Sequence, residues 1–217
     1  IDSPFSALAK EIVACERCPR LAVYLAEGRA RHPDYWCRPV PGFGDPVARL
    51  LILGLAPGFH GANRHGRVFT GDDSGRWLWS ALHELGVCSN AQSPHRGAPL
   101  RLAGVYVSNA LRCAPPGNRP TAAELAACRP FLARELVLLP EVRVVVALGR
   151  LAHDTYLQLR GERRSDHPFR HGAIHTLAGR PALLVDSYHP SRQNTNTGVL
   201  TWERWVAVLR AAWALAT

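Results

Sequence analysis

The chain has no methionine, a single lysine and no long apolar run, and each shortage excludes something. A membrane-spanning helix needs about 20 consecutive apolar residues. No stretch here approaches that length, so no membrane partner is expected. The opening residues, IDSPFSALAKE, lack the charged-then-apolar layout of a secretory signal, which points to a soluble, cytoplasmic protein. With isoleucine first and no methionine anywhere, the natural start is expected upstream of Ile1. Because Lys10 is the one lysine, almost all of the 26 basic residues are arginine. Schiff-base chemistry on a lysine therefore has one candidate. The phosphate-loop pattern G-x-x-x-x-G-K-[ST] is missing too, which removes the commonest triphosphate cradle.

What is present suits one globular domain spanning 1–217. A chain of 217 residues is enough for one large core, and 47% hydrophobic with 20% charged residues is ordinary for such a core. The net charge of +9 favours an anionic partner. Arginine forks suit bidentate phosphate contacts, although an Ala- and Arg-rich composition also follows from genomic base bias.

Four short runs rich in branched apolar residues read as buried strands, at 49–55, 104–109, 142–148 and 182–187. Helical patterns lie around them, at 4–26, 76–85, 122–139, 151–159 and 201–216. The fourth-from-last strand signal and its successors thus alternate with helices, which implies parallel βαβ units in a layered α/β fold. Thr121 with Glu124 three residues on is a capping box for the helix at 122–139. Ligands in such folds bind at the carboxyl ends of the strands. Three polar loops leave such ends, after Leu55, Asn109 and Ser187, and are expected to converge on one cleft.

The first of these loops is unusually long. Residues 54–75, GLAPGFHGANRHGRVFTGDDSG, hold six glycines, a proline, two histidines, two arginines and two aspartates. Glycine and proline make surface connections, yet ordered loops beyond about a dozen residues are usually functional. The last loop, SYHPSRQNTNTG, places His189 where a strand end would present it. A lone histidine is more often structural, but this one keeps company with Ser191, Arg192, Gln193 and Asn194, donors suited to phosphate or a base edge. The middle loop, RCAPPGNRPT, sets Asn118 and Arg119 in a Pro–Gly turn, and an asparagine amide can both donate to and accept from a base edge.

Six cysteines are present: Cys15, Cys18, Cys37, Cys88, Cys113 and Cys128. Cys15 and Cys18 form a C-x-x-C on the first predicted helix, and Cys113 and Cys128 bracket the proline-rich loop. The second pair is too wide for the two-ribbon zinc pattern, whereas a four-cysteine iron–sulfur cluster tolerates one close pair plus two distant ligands. Spacing by itself leaves cluster, zinc and plain buried thiols open. Cys37 and Cys88 have no near partner and read as packed thiols.

Together the two long motifs, the CERC pair and LRCAPPGNRPT resemble the uracil-DNA glycosylase superfamily, specifically its family 5, the type B enzymes of bacteria and archaea. The resemblance runs from about Cys15 to Thr201. It implies a three-layer α/β/α sandwich around a central four-stranded parallel sheet. It also implies a [4Fe–4S] cluster on Cys15, Cys18, Cys113 and Cys128, structural and not redox-catalytic, pinning the N-terminal helix to the loop around Asn118. Family 4 carries an acid where this chain has Leu55, and family 1 a water-activating aspartate where it has Ala56, so another group must supply the acid. The resemblance gives that role to Asp72, with Asp73 expected as a helix cap ahead of Gly75. His189 is expected to donate to uracil O2. Phe69 would stack on the flipped base, a contact worth ~1–3 kcal/mol. Asn118 would read the base edge, with Asn109 as the alternative. His60, Asn194 and the backbone of Ala56 and Gly58 are further contacts to base or water, and Ser191, Arg192 and Gln193 contacts to DNA.

The expected activity is monofunctional hydrolysis of the N-glycosidic bond of uracil in DNA, and of deaminated or oxidised bases such as hypoxanthine and hydroxymethyluracil, initiating base excision repair by a monomer. Lyase activity is not expected, since Lys10 lies on the first helix, away from the strand ends, and the native N-terminus precedes that helix. Two other functions remain open: an iron–sulfur protein that binds nucleic acid and senses redox state without catalysis, and a hydrolase of free nucleosides or nucleotides.

Overall fold

The structure, a computed structural model, describes residues 3–217. The four expected strands form as β2 (Leu50–Gly54), β3 (Val105–Asn109), β4 (Val144–Leu148) and β6 (Leu183–Ser187). All four pair in parallel, with Leu50 opposite both Val105 and Val144, and Val144 opposite Leu183. Strands covered on both faces need no polar side, which is why these runs read as continuously apolar. β2, β3 and β4 are buried at every residue.

Alternation decides which helix each residue meets. Leu50 and Ile52 face one core with α4 (Asp73–Glu84) and α8 (Trp202–Ala216), through Trp79, Leu82, Trp205 and Leu209. Leu51 and Leu53 face the other with α5 (Ala122–Leu138) and α6 (Arg150–Arg160), through Leu132, Tyr156 and Leu157. The result is the three-layer α/β/α sandwich. Both residues of the capping box act at α5, Thr121 Oγ1 accepting from Glu124 N at 3.2 Å and Glu124 Oε2 from Thr121 N at 2.8 Å.

Two features differ from expectation. Among the described residues the sheet has six strands, because two antiparallel edges, β1 (Phe43–Gly44) and β5 (Ile174–Thr176), flank the parallel four in the order β1-β3-β2-β4-β6-β5. β1 and β5 are two and three residues long, too short to leave a periodic signal, and short edges guard against pairing with other chains. The N-terminal helix expected at 4–26 is two helices, α1 (Pro4–Val13) and α2 (Pro19–Arg31). Proline disfavours helical geometry in the residue before it. Cys18, preceding Pro19, is accordingly extended (φ −113°, ψ 96°). Cys15 and Cys18 therefore sit in the break between helices and not on a helix.

The chain runs from β2 outward to β3, then returns across β2 to β4 and β6. The loops leaving β2 and β4 thus diverge, and such a switch point opens a crevice at the strand carboxyl ends.

Candidate active site and cysteine cavity

A cavity of about 460 Å³ occupies that crevice, lined by Ala56, Gly58, Phe69, Asp72, Asn109, Asn118, His189 and Ser191. The three polar loops converge as expected. A fourth contribution, beyond the three expected loops, comes from Gly149, Arg150 and Leu151 at the end of β4, whose sequence signal is a strand end followed by glycine. Gly149 has φ +94°, and its amide donates to Ser187 O at 2.8 Å, drawing this turn against the histidine loop.

The long loop is ordered by its own side chains. Buried Arg67 donates to Ser93 Oγ (2.6 Å), His95 O (2.9 Å), Ala98 O (2.9 Å) and Thr70 Oγ1 (3.2 Å). These bonds fasten residues 67–70 to 93–98 and fix the approach to Phe69. Phe69 holds φ +48°, a conformation an aromatic residue adopts at a cost and only where its surroundings enforce it. Trp79 Nε1 enforces it by donating to Phe69 O at 2.6 Å. The Phe69 ring lies 6.1 Å from that of His189 at an interplanar angle of 29°.

Asp72, not Asp73, is the helix cap. Asp72 Oδ1 accepts from Gly75 N at 2.8 Å, and Asp73 is the first residue of α4. Asp73 instead forms ion pairs with Arg76 and Arg192 on the exposed side. These two arginines hold the Asp73 carboxyl below its ordinary range, with Arg192 the stronger influence. Asp72 shifts the other way. Burial raises its pKa, and the neighbouring Asp73 adds to the rise against the pull of the Gly75 amide and Arg192. Its second oxygen faces the start of the loop, because a Cβ on Gly61 would fall 2.1 Å from Asp72 Oδ2, whereas one on Gly58 would stand 3.4 Å away. Gly61→Ala should therefore displace the carboxylate and slow turnover about 10- to 10²-fold, the cost of small misplacements; single-turnover rates of the variant and the wild type check this.

His189 is partly buried and makes no side-chain hydrogen bond among the described residues. Burial alone lowers its pKa to about 4, so at neutral pH it is an uncharged imidazole with an N–H to offer. Its loop is set by its own backbone carbonyl, which accepts from Ser191 N and Asn194 Nδ2, both at 2.8 Å. Asn194 is thus engaged in holding the His189 loop and does not line the pocket, contrary to its expected contact with the base. Asn109, 2% exposed at the end of β3, lines the pocket, and its Oδ1 and the Phe69 ring both lie over Gly54. Asn118 is an exposed rim residue with φ +56°. His60 stands outside the pocket, its Nδ1 3.1 Å from Tyr35 Oη. Arg192 and Gln193 are exposed outside it as well.

Behind the pocket lies a buried cluster with no sequence signature. The Asp186 carboxylate accepts from Arg170 N at 3.1 Å and lies 2.6 Å from His153 Nδ1 and 2.9 Å from His175 Nε2, while His153 Nε2 lies 2.9 Å from His167 O. It joins the start of α6 to the end of β6, the two elements that carry Leu151 and His189 to the pocket.

The four cysteines of the expected ligand set line a second cavity, of about 350 Å³, between the α1–α2 break, the loop after β3 and α5. Burial raises the thiol pKa values of Cys18, Cys113 and Cys128, and proximity to the other cysteines raises them further. Such thiols are poor anions unless a cationic centre displaces their protons. Four thiols gathered around one cavity are the donor set of a thiolate-held metal centre. Arg112 N donates to Cys128 Sγ at 3.3 Å. Arg20 bonds Glu124 through Nε (2.8 Å) and Nη2 (2.7 Å) and Arg119 O (3.1 Å), tying α2 to the loop of Asn118. Cys37 and Cys88 are buried thiols, bonded to Asn63 Nδ2 (3.4 Å) and Asn90 O (3.2 Å).

Residues 41–212 match the family model described as the uracil DNA glycosylase superfamily. Among similar proteins, the type-5 uracil-DNA glycosylase of Thermus thermophilus is 54% identical over 215 residues, covering 97% of each chain. This chain belongs to the uracil-DNA glycosylase superfamily, in its type-5 branch. The type-5 uracil-DNA glycosylase of Pyrobaculum aerophilum is 42% identical over 212 residues, covering 96% of this chain and 92% of its own. That of Mycobacterium tuberculosis is 44% identical over 214 residues, covering 94% and 79%. Among the described residues no helix is long and apolar enough to cross a membrane.

Proposed function

We propose that this chain hydrolyses the N-glycosidic bond of uracil in DNA, and of other damaged bases that fit the same pocket, among them hypoxanthine and hydroxymethyluracil. The observation that carries this is the meeting, in one cavity, of an uncharged histidine, an aromatic face, a buried amide and a partly buried carboxylate. An enzyme acting on a base must extrude it from the duplex and read its edge in a pocket. Phe69 stacks on the extruded base. Asn109 bonds its edge, favoured over Asn118 because it lies on the floor while Asn118 stands on the rim. As the bond breaks, negative charge gathers on the departing uracil and positive charge on the sugar. His189 donates its N–H to uracil O2, where the low local dielectric strengthens the bond. Asp72, pinned through Oδ1, offers Oδ2 to the sugar cation and to the attacking water.

Cys15, Cys18, Cys113 and Cys128 would hold a [4Fe–4S] cluster, whose contribution is to cross-link the N-terminal helices to the loop that carries Asn118. Arg20 and Glu124 make the same connection by an ion pair. Cys128→Ser should lower the iron content from about four per chain and bleach the visible absorbance; one zinc per chain in a colourless wild-type protein would contradict the cluster. Removal stops at the abasic site, since Lys10 lies on α1 and no lysine lines the pocket.

The test is incubation with a duplex bearing one U opposite G and mass-spectrometric detection of the product. Free uracil with an intact abasic strand is the expected result. Neither free uracil nor an abasic site, from protein with its full iron content, would contradict the proposal.

A further inference from the structure

Beside the base pocket lies a wider hollow of about 710 Å³. The two share a rim of Gly58, Asp72, Ser74, Asn118 and Ser191. One wall of the hollow is aromatic, formed by Tyr24, Phe59 and His60. The Phe59 ring centroid is 5.3 Å from that of Tyr24 and 5.1 Å from that of His60. Tyr35 and His32 brace it from behind at 6.0 Å. Rings supported in this way keep their orientation without a ligand. Arg76 and Arg192 also line the hollow, both ion-paired with Asp73.

Aromatic faces beside cations are how proteins hold unpaired bases and the backbone that links them. We infer that this hollow is a second base-binding subsite, which takes the nucleobase adjoining the extruded uracil on the same strand. It rests on the reading that the base pocket takes the extruded uracil. Phe59 and His60 supply the stacking surface, and Arg192 stands where the intervening phosphate crosses the shared rim. The same-strand neighbour is favoured over the orphaned base opposite, because a single phosphodiester joins it to the nucleotide in the pocket and the two cavities are continuous. An adjoining base that unstacks readily, as in single-stranded DNA, then binds most easily.

The experiment uses the iron-loaded full chain and a DNA whose uridine sugar resists cleavage, with 2-aminopurine next to the uracil or opposite it. Wild-type protein should change the emission of the adjacent reporter in both single- and double-stranded DNA. Phe59→Ala should abolish that change and weaken binding about 5- to 150-fold, the factor for one stacked base. His60→Ala, at an exposed position, provides the same comparison should Phe59→Ala fail to fold, with a loss of about fivefold. Unchanged emission and affinity in folded variants would overturn the inference, as would an effect confined to the reporter opposite uracil. Failure to release uracil from ordinary DNA would instead strike at the base pocket, a separate readout.

Discussion

Asp72→Asn should lower single-turnover uracil removal by about 10²–10⁴-fold, the range for losing a general base or an electrostatic anchor. Asparagine keeps the size and can still accept from the Gly75 amide, so α4 retains its cap. What disappears is the negative charge near the sugar. The loss should fall on every substrate, because each passes through the same sugar cation. Burial raises the Asp72 pKa above the ordinary carboxylate value. The ionised form is the active one, so wild-type activity should fall as pH drops through that raised value, and this acid limb should vanish from the residual rate of the variant. A group whose folded pKa is raised makes the opposite contribution to stability. The ionised Asp72 is disfavoured by folding, so Asp72→Asn should match or exceed wild-type stability at neutral pH in a thermal melt.

His189→Ala should be comparably damaging to uracil, about 10²–10³-fold for one lost hydrogen-bond donor to a developing anion, but less so for bases that leave easily. An uncharged imidazole gives its hydrogen bond in proportion to the charge that gathers on the base. Rates for uracil, hypoxanthine and hydroxymethyluracil should therefore spread differently in this variant, whereas Asp72→Asn should lower them together. With its folded pKa near 4, His189 remains neutral throughout the useful range. Its depressed value also means that acid favours the unfolded chain, where histidine protonates near 6.5. Stability is thus expected to decline below that pH. Equal losses on all three bases in His189→Ala would remove its assigned role.

Most of the frame was legible in sequence because its signals are local. Branched apolar runs marked the four parallel strands, and Thr121 with Glu124 marked the start of α5. The edge strands β1 and β5 escaped because two or three residues carry no period. Pro19 signals the split of the N-terminal helix through its effect on Cys18, but the helical pattern on either side masks it. At the site, the loops after the strand ends bring Phe69, Asp72, Asn118 and His189 to one cavity, since strand ends fix where such loops meet, while Asn109, expected as the alternative to Asn118, ends β3 itself. Other assignments depended on which way a side chain turns. Asn194 points back to the His189 carbonyl, and Asp72 rather than Asp73 takes the cap. The buried set of His153, His175 and Asp186 joins three distant segments, and spacing along the chain gives no hint of it.

In the proposed mechanism the carboxylate at position 72, and not its neighbour, promotes hydrolysis. It is tested by single-turnover removal of uracil from a U·G duplex by Asp72→Asn and Asp73→Asn, each folded as the wild type by circular dichroism. Near wild-type rates for Asp73→Asn beside a loss of at least 10²-fold for Asp72→Asn is the predicted result; an active Asp72→Asn beside an inactive Asp73→Asn would contradict it.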